Sequence, residues 1–208
     1  AAMRDAVDLP VTVKHRIGLG RDEDYGFVRD FVGTVAERGG SSVFIVHARN
    51  AWLEGLSPKE NRDVPPLRYE VVWRLKRDFP HLTVVLNGGI TSQSQIHEQL
   101  AHVDGVMVGR HAYHEPWSMA SWDREFLGAD ADPCADRSQV EDAFVAYMQT
   151  RQRLAGTSWS AMARHMLGLW NATPGARRWR QVWSDHRLRD LDPADVRARA
   201  HRGVAPVT

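Results

Sequence analysis

This chain of 208 residues has one cysteine, three lysines and no long apolar run. A lone Cys134 excludes an internal disulfide framework and a cysteine-built zinc site. No stretch approaches the roughly 20 consecutive apolar residues that span a bilayer. No secretory leader is read at the start, because Ala1-Ala2-Met3-Arg4-Asp5-Ala6-Val7 has the pattern of the end of an amphipathic helix. A cytoplasmic protein with no membrane segment and no metal is the expectation. With Lys14, Lys59 and Lys76 the only lysines, arginine carries most of the positive charge.

The net charge of +1 conceals a division. Residues 137–208 hold twelve arginines against six acids, while residues 1–136 hold fifteen basic and twenty acidic residues. A basic C-terminal region on an acidic body points to an anionic partner, nucleic acid first.

Four short apolar runs each end in a polar cluster: Val11-Thr12-Val13-Lys14-His15-Arg16, Val43-Phe44-Ile45-Val46-His47-Ala48-Arg49, Val84-Val85-Leu86-Asn87-Gly88-Gly89 and Val106-Met107-Val108-Gly109-Arg110. Helical periodicity separates them, with Tyr25, Val28, Phe31, Val32 and Val35 the clearest case. The pattern predicts strands near 10–16, 42–47, 82–87 and 104–108, with helices near 24–38, 67–78, 92–101 and 111–120. Strands alternating with helices imply a parallel sheet with right-handed crossovers. Buried strands with polar C-terminal ends are how a (β/α)8 TIM barrel builds its site. Four strands make half of one, expected to be strands five to eight. Residues 1–121 are therefore assigned to the barrel portion and 122–136 to a linker. Residues 137–208 are assigned to a small all-helical domain, with helices near 138–154, 157–168, 174–185 and 192–201.

Asn87-Gly88-Gly89 is open to a hairpin reading. Ser92 with Gln95 nevertheless fits a capping box and opens a helix. A strand, two glycines and a helix start together suit a phosphate, and Gly109-Arg110 repeats the arrangement one strand later with a guanidinium. Lys14 and His47 admit two readings each. Lys14 is either a snorkelling surface residue or a cation facing an electron-rich ring, and His47 is either structural or a ligand contact. The long connection 48–66 is either a solvated loop or a substrate grip, in which Lys59 and Arg62 are spaced for successive phosphates. Arg177 and Arg180 share a helix face around Trp179, which suits RNA backbone contact as well as a plain solvated face.

These segments resemble the tRNA-dihydrouridine synthases, and closely the A-type subfamily. The resemblance rests on Val13-Lys14-His15-Arg16-Ile17-Gly18, the run Phe44–Arg62, Leu86-Asn87-Gly88-Gly89-Ile90 and Val103–Arg110. His165-Met166-Leu167-Gly168-Leu169 with Pro174-Gly175-Ala176-Arg177 continues it. The family is an FMN-binding barrel followed by a helical domain, which uses NADPH to reduce uridines of the tRNA D-loop. A-type resemblance points to position 20 and its neighbour 20a. The resemblance assigns Lys14, His47, Asn87, Gly88, Gly89, Gly109 and Arg110 to FMN, and Lys59, Arg62, Arg177 and Arg180 to tRNA. It also implies a catalytic cysteine, acting as general acid, upstream of Lys14. Cys134 does not match that position, so no catalytic residue is assigned in this chain.

The expectation is accordingly the C-terminal half of such an enzyme, not active by itself. The alternatives are a non-catalytic tRNA-binding fragment and another FMN-dependent barrel oxidoreductase. Unpaired barrel edges near 10–16 and 104–108 predict self-association, and little FMN retention is expected of the isolated chain.

Overall fold

A computed structural model describes residues 1–21 and 24–202, which form two compact units divided between Gly109 and Arg110. In the first unit a short helix α1 (Ala2–Ala6) precedes β1 (Val13–Arg16), α2 (Tyr25–Gly39), β2 (Val43–His47), α3 (Tyr69–Asp78), β3 (Thr83–Asn87), α4 (Gln93–Leu100) and β4 (Gly105–Met107). The four strands form one parallel sheet in the order β1-β2-β3-β4. Each expected strand is present but shorter, and β1 begins at Val13 rather than near residue 10.

Alternation decides what the sheet buries. Phe44 and Val46 of β2 and Val84 and Leu86 of β3 are covered, as are Val28 and Val32 of α2 and Val72 and Leu75 of α3. The register sets Lys14 beside Ile45 and Arg16 beside His47, with Val85, Asn87, Gly105 and Met107 continuing the rows on the other face. That second face is only half covered. Among the described residues β1 and β4 pair on one side only. Asp104 ties the two last strands together: it accepts from the Val84 N–H at 2.8 Å and from Lys76 Nζ at 2.9 Å.

The second unit has no strand among its described residues, and its helices are α5 (Arg110–His114), α6 (Trp122–Phe126), α7 (Arg137–Ala155), α8 (Trp159–Ala163), α9 (Ala176–Trp183) and α10 (Pro193–His201). Three sequence expectations need correction here. The helix expected at 111–120 stops at His114 and resumes as a 3-10 turn, Pro116–Met119, because Pro116 cannot donate within a continuing helix. The segment 122–136 expected as linker contains α6, and the helix expected at 157–168 is regular only over Trp159–Ala163. The compact division follows β4 directly, at Gly109, because α5 belongs with the helices after it.

The core of this unit is aromatic. Trp159 and Trp183 meet edge to face at 5.5 Å, with Met148, Val196 and Ala200 filled in around them. Gly168 has no room for a side chain, since a Cβ there would run into the His114 carbonyl oxygen.

Candidate cofactor and RNA site

At the C-terminal ends of the strands, Lys14 Nζ donates to Asn87 Oδ1 at 2.8 Å, reaching over β2 to do so. Asn87 Nδ2 in turn donates to the Met107 carbonyl at 2.8 Å, so one amide links β1, β3 and β4. Asn87 pairs in register with His47, whose Nε2 lies 3.3 Å from where a Cβ on Gly88 would stand. Gly88 and Gly89 have φ of +121° and +69°, a region that glycine enters without strain. Tyr69 Oη donates to the Gly88 carbonyl at 2.8 Å. A side chain on Gly89 would collide with Leu67 and crowd that hydroxyl, while a Cβ on Gly109 would meet open space.

The helix after the glycines starts as expected. Ser92 accepts from the Gln95 N–H at 3.2 Å, and Gln95 reaches back to the Thr91 N–H at 2.8 Å, one residue earlier than a standard capping box. Arg110 is exposed and opens α5 immediately after Gly109. The structure thus brings Lys14, His47, Asn87 and Gly88 together within the first unit. A cavity of about 190 Å³ lined by His15, Leu19, Phe27 and Phe31 lies instead on the helix-covered side of β1.

The strand ends are rich in cations. Burial lowers the Lys14 ammonium from its ordinary value, and the Arg16 charge lowers it further. Arg16 is itself lowered by burial and by the charges of Arg49 and Arg62. Burial also pushes His15 down, aided by Lys14 and opposed by the bond between its Nδ1 and the Arg16 carbonyl. An electropositive surface at the mouth of a sheet attracts anions and stabilises negative charge on a bound ring.

The long connection is an ordered loop. Arg16 Nη1 donates to the carbonyls of Asn50 and Asn61, both at 2.8 Å, and so staples β1 to two points of the loop. Asn61 accepts from the Trp52 N–H at 2.8 Å and donates to the Trp52 carbonyl at 2.7 Å, imitating a strand pair with one side chain. Arg49 donates to the Pro65 carbonyl at the loop's far end. Lys59 and Arg62 flank Asn61 on a 3-10 turn, Glu60–Arg62, and both are exposed. Sequence reading singled out these two cations but passed over Arg16 and Asn61, whose type and spacing do not announce a backbone staple.

In the second unit Arg177 and Arg180 are exposed on α9, as is Arg178, opposite the buried Ala176, Trp179 and Trp183. Arg180 donates to Asn171 Oδ1, and Asn171 Nδ2 is held by the His114 carbonyl and Glu115. Cys134 is half-buried beyond α6. No helix among the described residues is long and apolar enough to cross a membrane, and no group of three metal-ligating side chains occurs among them.

A parallel sheet with cations and paired glycines at its strand ends is a class of site that many α/β folds share. Comparison with known proteins narrows it. The family model described as dihydrouridine synthase matches residues 1–199, and the chain belongs to that family. Among curated relatives, the tRNA-dihydrouridine(20/20a) synthase of Salmonella typhimurium is 52% identical over 188 residues, covering 89% of this chain and 55% of that protein. The proteins of the same name from Vibrio cholerae and Escherichia coli K12 are 49% and 51% identical, each again over 89% of this chain. The chain spans about half the length of the curated relatives it matches.

Proposed function

We propose that this chain is the second half of a (β/α)8 barrel followed in sequence by a helical RNA-binding part. The whole enzyme reduces uridine to 5,6-dihydrouridine in the tRNA D-loop, at position 20 and its neighbour 20a, in the cytoplasm. The observation that carries this reading is the convergence of Lys14, His47 and Asn87 above Gly88 on the half-covered face of the sheet. The unpaired outer sides of β1 and β4, and the fraction of the relatives' length that the chain matches, support the half-barrel.

The residues present fit FMN. Lys14 offers a cation to the electron-rich edge of a flavin ring, held in place by Asn87. His47, the Gly88-Gly89 turn, Gly109 and Arg110 offer donors to its phosphate, and the backbone conformation of the glycines leaves that approach clear. When bound, FMN supplies the two-electron reducing chemistry, with NADPH as the reductant that restores it. Lys59, Arg62, Arg177 and Arg180 bind RNA phosphates, and the target base leaves its stack to reach the site. No residue of this chain is assigned as the general acid, since Cys134 follows the last strand and belongs to the second unit. That β1 and β4 pair on one side only among the described residues favours a second reading for the chain in isolation, a tRNA-binding piece without catalysis.

The test grafts this chain onto the Salmonella typhimurium relative in place of its matching 188 residues. The chimera is expected to bind FMN and to form dihydrouridine on tRNA that lacks it, with Lys14→Met losing flavin. A chimera that holds FMN yet shows no salt-sensitive affinity for tRNA overturns the substrate assignment.

A further inference from the structure

The second unit contains a buried titratable group with no part in the site described above. Glu141, on α7, is fully buried, and both carboxylate oxygens are saturated. Oε1 accepts the indole N–H of Trp179 at 2.8 Å and of Trp183 at 3.1 Å. Oε2 accepts Trp170 Nε1 at 3.0 Å and pairs with His201 Nε2 at 2.7 Å. Arg197 lies 4.0 Å from Oε2 and is engaged more closely by Asp142, at 3.0 Å.

Four donors converging on two oxygens specify a glutamate. A glutamine presents one acceptor and turns an amide donor toward the indoles, and an aspartate is one methylene too short. An indole N–H is not always satisfied in this core. Trp159 is buried in the same cluster with no hydrogen-bond partner for its Nε1 among the described residues. Apolar packing therefore seats a tryptophan without a carboxylate, and the convergence on Glu141 adds something packing does not supply.

What it adds is direction. Trp179 and Trp183 are one turn apart on α9, so tethering both to a single oxygen fixes the helix's rotation about its axis. A helix turns about 100° per residue, so a one-residue rotation would carry Arg178 toward the core in one sense, and Arg177 and Arg180 in the other. We propose that Glu141 is a positioning residue which locks the rotation of α9 so that Arg177, Arg178 and Arg180 form one RNA-phosphate face. The RNA half of this inference rests on the tRNA-binding function proposed above.

Amide hydrogen exchange of α9, with equilibrium binding of unmodified tRNA transcript across a salt series, tests it in the full chain. Three variants are compared with wild type: Glu141→Gln, Trp179→Phe and Trp170→Phe. Trp179 tethers α9, whereas Trp170 bonds the other oxygen from outside that helix. Glu141→Gln and Trp179→Phe are expected to lose α9 protection, while Trp170→Phe keeps it. The salt dependence of tRNA binding is expected to flatten in the first two by about 1.4 in log–log slope, the equivalent of two single-stranded phosphate contacts. Should Glu141→Gln not fold, the Trp179→Phe and Trp170→Phe pair decides alone. Equal loss of α9 protection in those two, or full retention in both, overturns the positioning role. If wild type shows no salt-dependent tRNA affinity, the RNA face is refuted and the exchange pattern still judges the lock by itself.

Discussion

Lys14 and Asn87 stand on strands that do not touch, yet the lysine Nζ and the asparagine Oδ1 are 2.8 Å apart across the intervening β2. The same amide donates to Met107 on β4, so its removal strands a cation at one end and a carbonyl at the other. Asn87→Leu is expected to lower thermal stability by about 1–3 kcal/mol, the cost of leaving such groups unmatched. Chemical denaturation of the purified variant measures it, and an unchanged midpoint would show that the link carries no weight.

Leu19, Phe27 and Phe31 are 50%, 47% and 39% exposed around a cavity shared with His15 of β1, a strand paired on one side only among the described residues. A free parallel edge next to an apolar face recruits other strands. Sedimentation of the isolated chain is expected to give oligomers, and its visible spectrum little bound flavin. A monodisperse monomer carrying stoichiometric FMN would contradict both.

Asn61 closes the 48–66 loop with two bonds to the Trp52 backbone, and Arg16 adds two more to loop carbonyls. Asn61→Ala is expected to increase the rate of proteolytic cleavage within residues 53–58 by about tenfold, the equivalent of about 1.4 kcal/mol in local opening. Mass mapping of limited-proteolysis products checks it. Cleavage at the wild-type rate would place the loop's order elsewhere.

Stability is expected to fall in acid in two stages. Burial acts first to raise Glu141, but its bonds from His201, Trp179 and Trp183 and the His201 charge outweigh that and hold it below the ordinary value. Its folded pKa is thus depressed, so its contribution is complete above about pH 4.3, the unfolded value, and is lost as pH falls through the folded value. Burial likewise depresses His15. The unfolded chain then binds more protons just below about pH 6.5, and stability declines from there downward. Denaturation midpoints against pH should lose the upper stage in His15→Phe and show a smaller lower one in Glu141→Gln, where Asp104 and Asp185, also held below their ordinary values, still contribute.

Gly168→Ala is expected to destabilise the second unit by about 1–3 kcal/mol, since its methyl would enter the space of the His114 carbonyl oxygen. Thermal melting followed by tryptophan fluorescence reads this directly. An unshifted melt would mean that the backbone yields there at no cost.

Much of the first unit was legible from local pattern. The apolar runs predicted each strand found among the described residues, because a buried parallel strand needs a continuous β-branched core whatever surrounds it. The Ser92–Gln95 cap was legible because capping is a matter of sequence spacing. The helical unit was read less well. Pro116 broke an expected helix, and α6 lay in a segment too polar to advertise itself. Glu141 reads as one more charge on an amphipathic helix, since three of its four partners lie 29 to 42 residues away and the fourth 60.

The sequence by itself determined the alternation of strand and helix, the residues at the strand ends, the basic helix face and the family. All of these depend on neighbours within a few positions, or on similarity residue by residue. Only the tertiary structure decided that Lys14 meets Asn87, that Arg16 and Asn61 hold the loop bearing Lys59 and Arg62, and that a buried glutamate anchors α9. Those contacts pair groups far apart along the chain, and hydrogen bonding selects them only once packing has brought the backbone segments together.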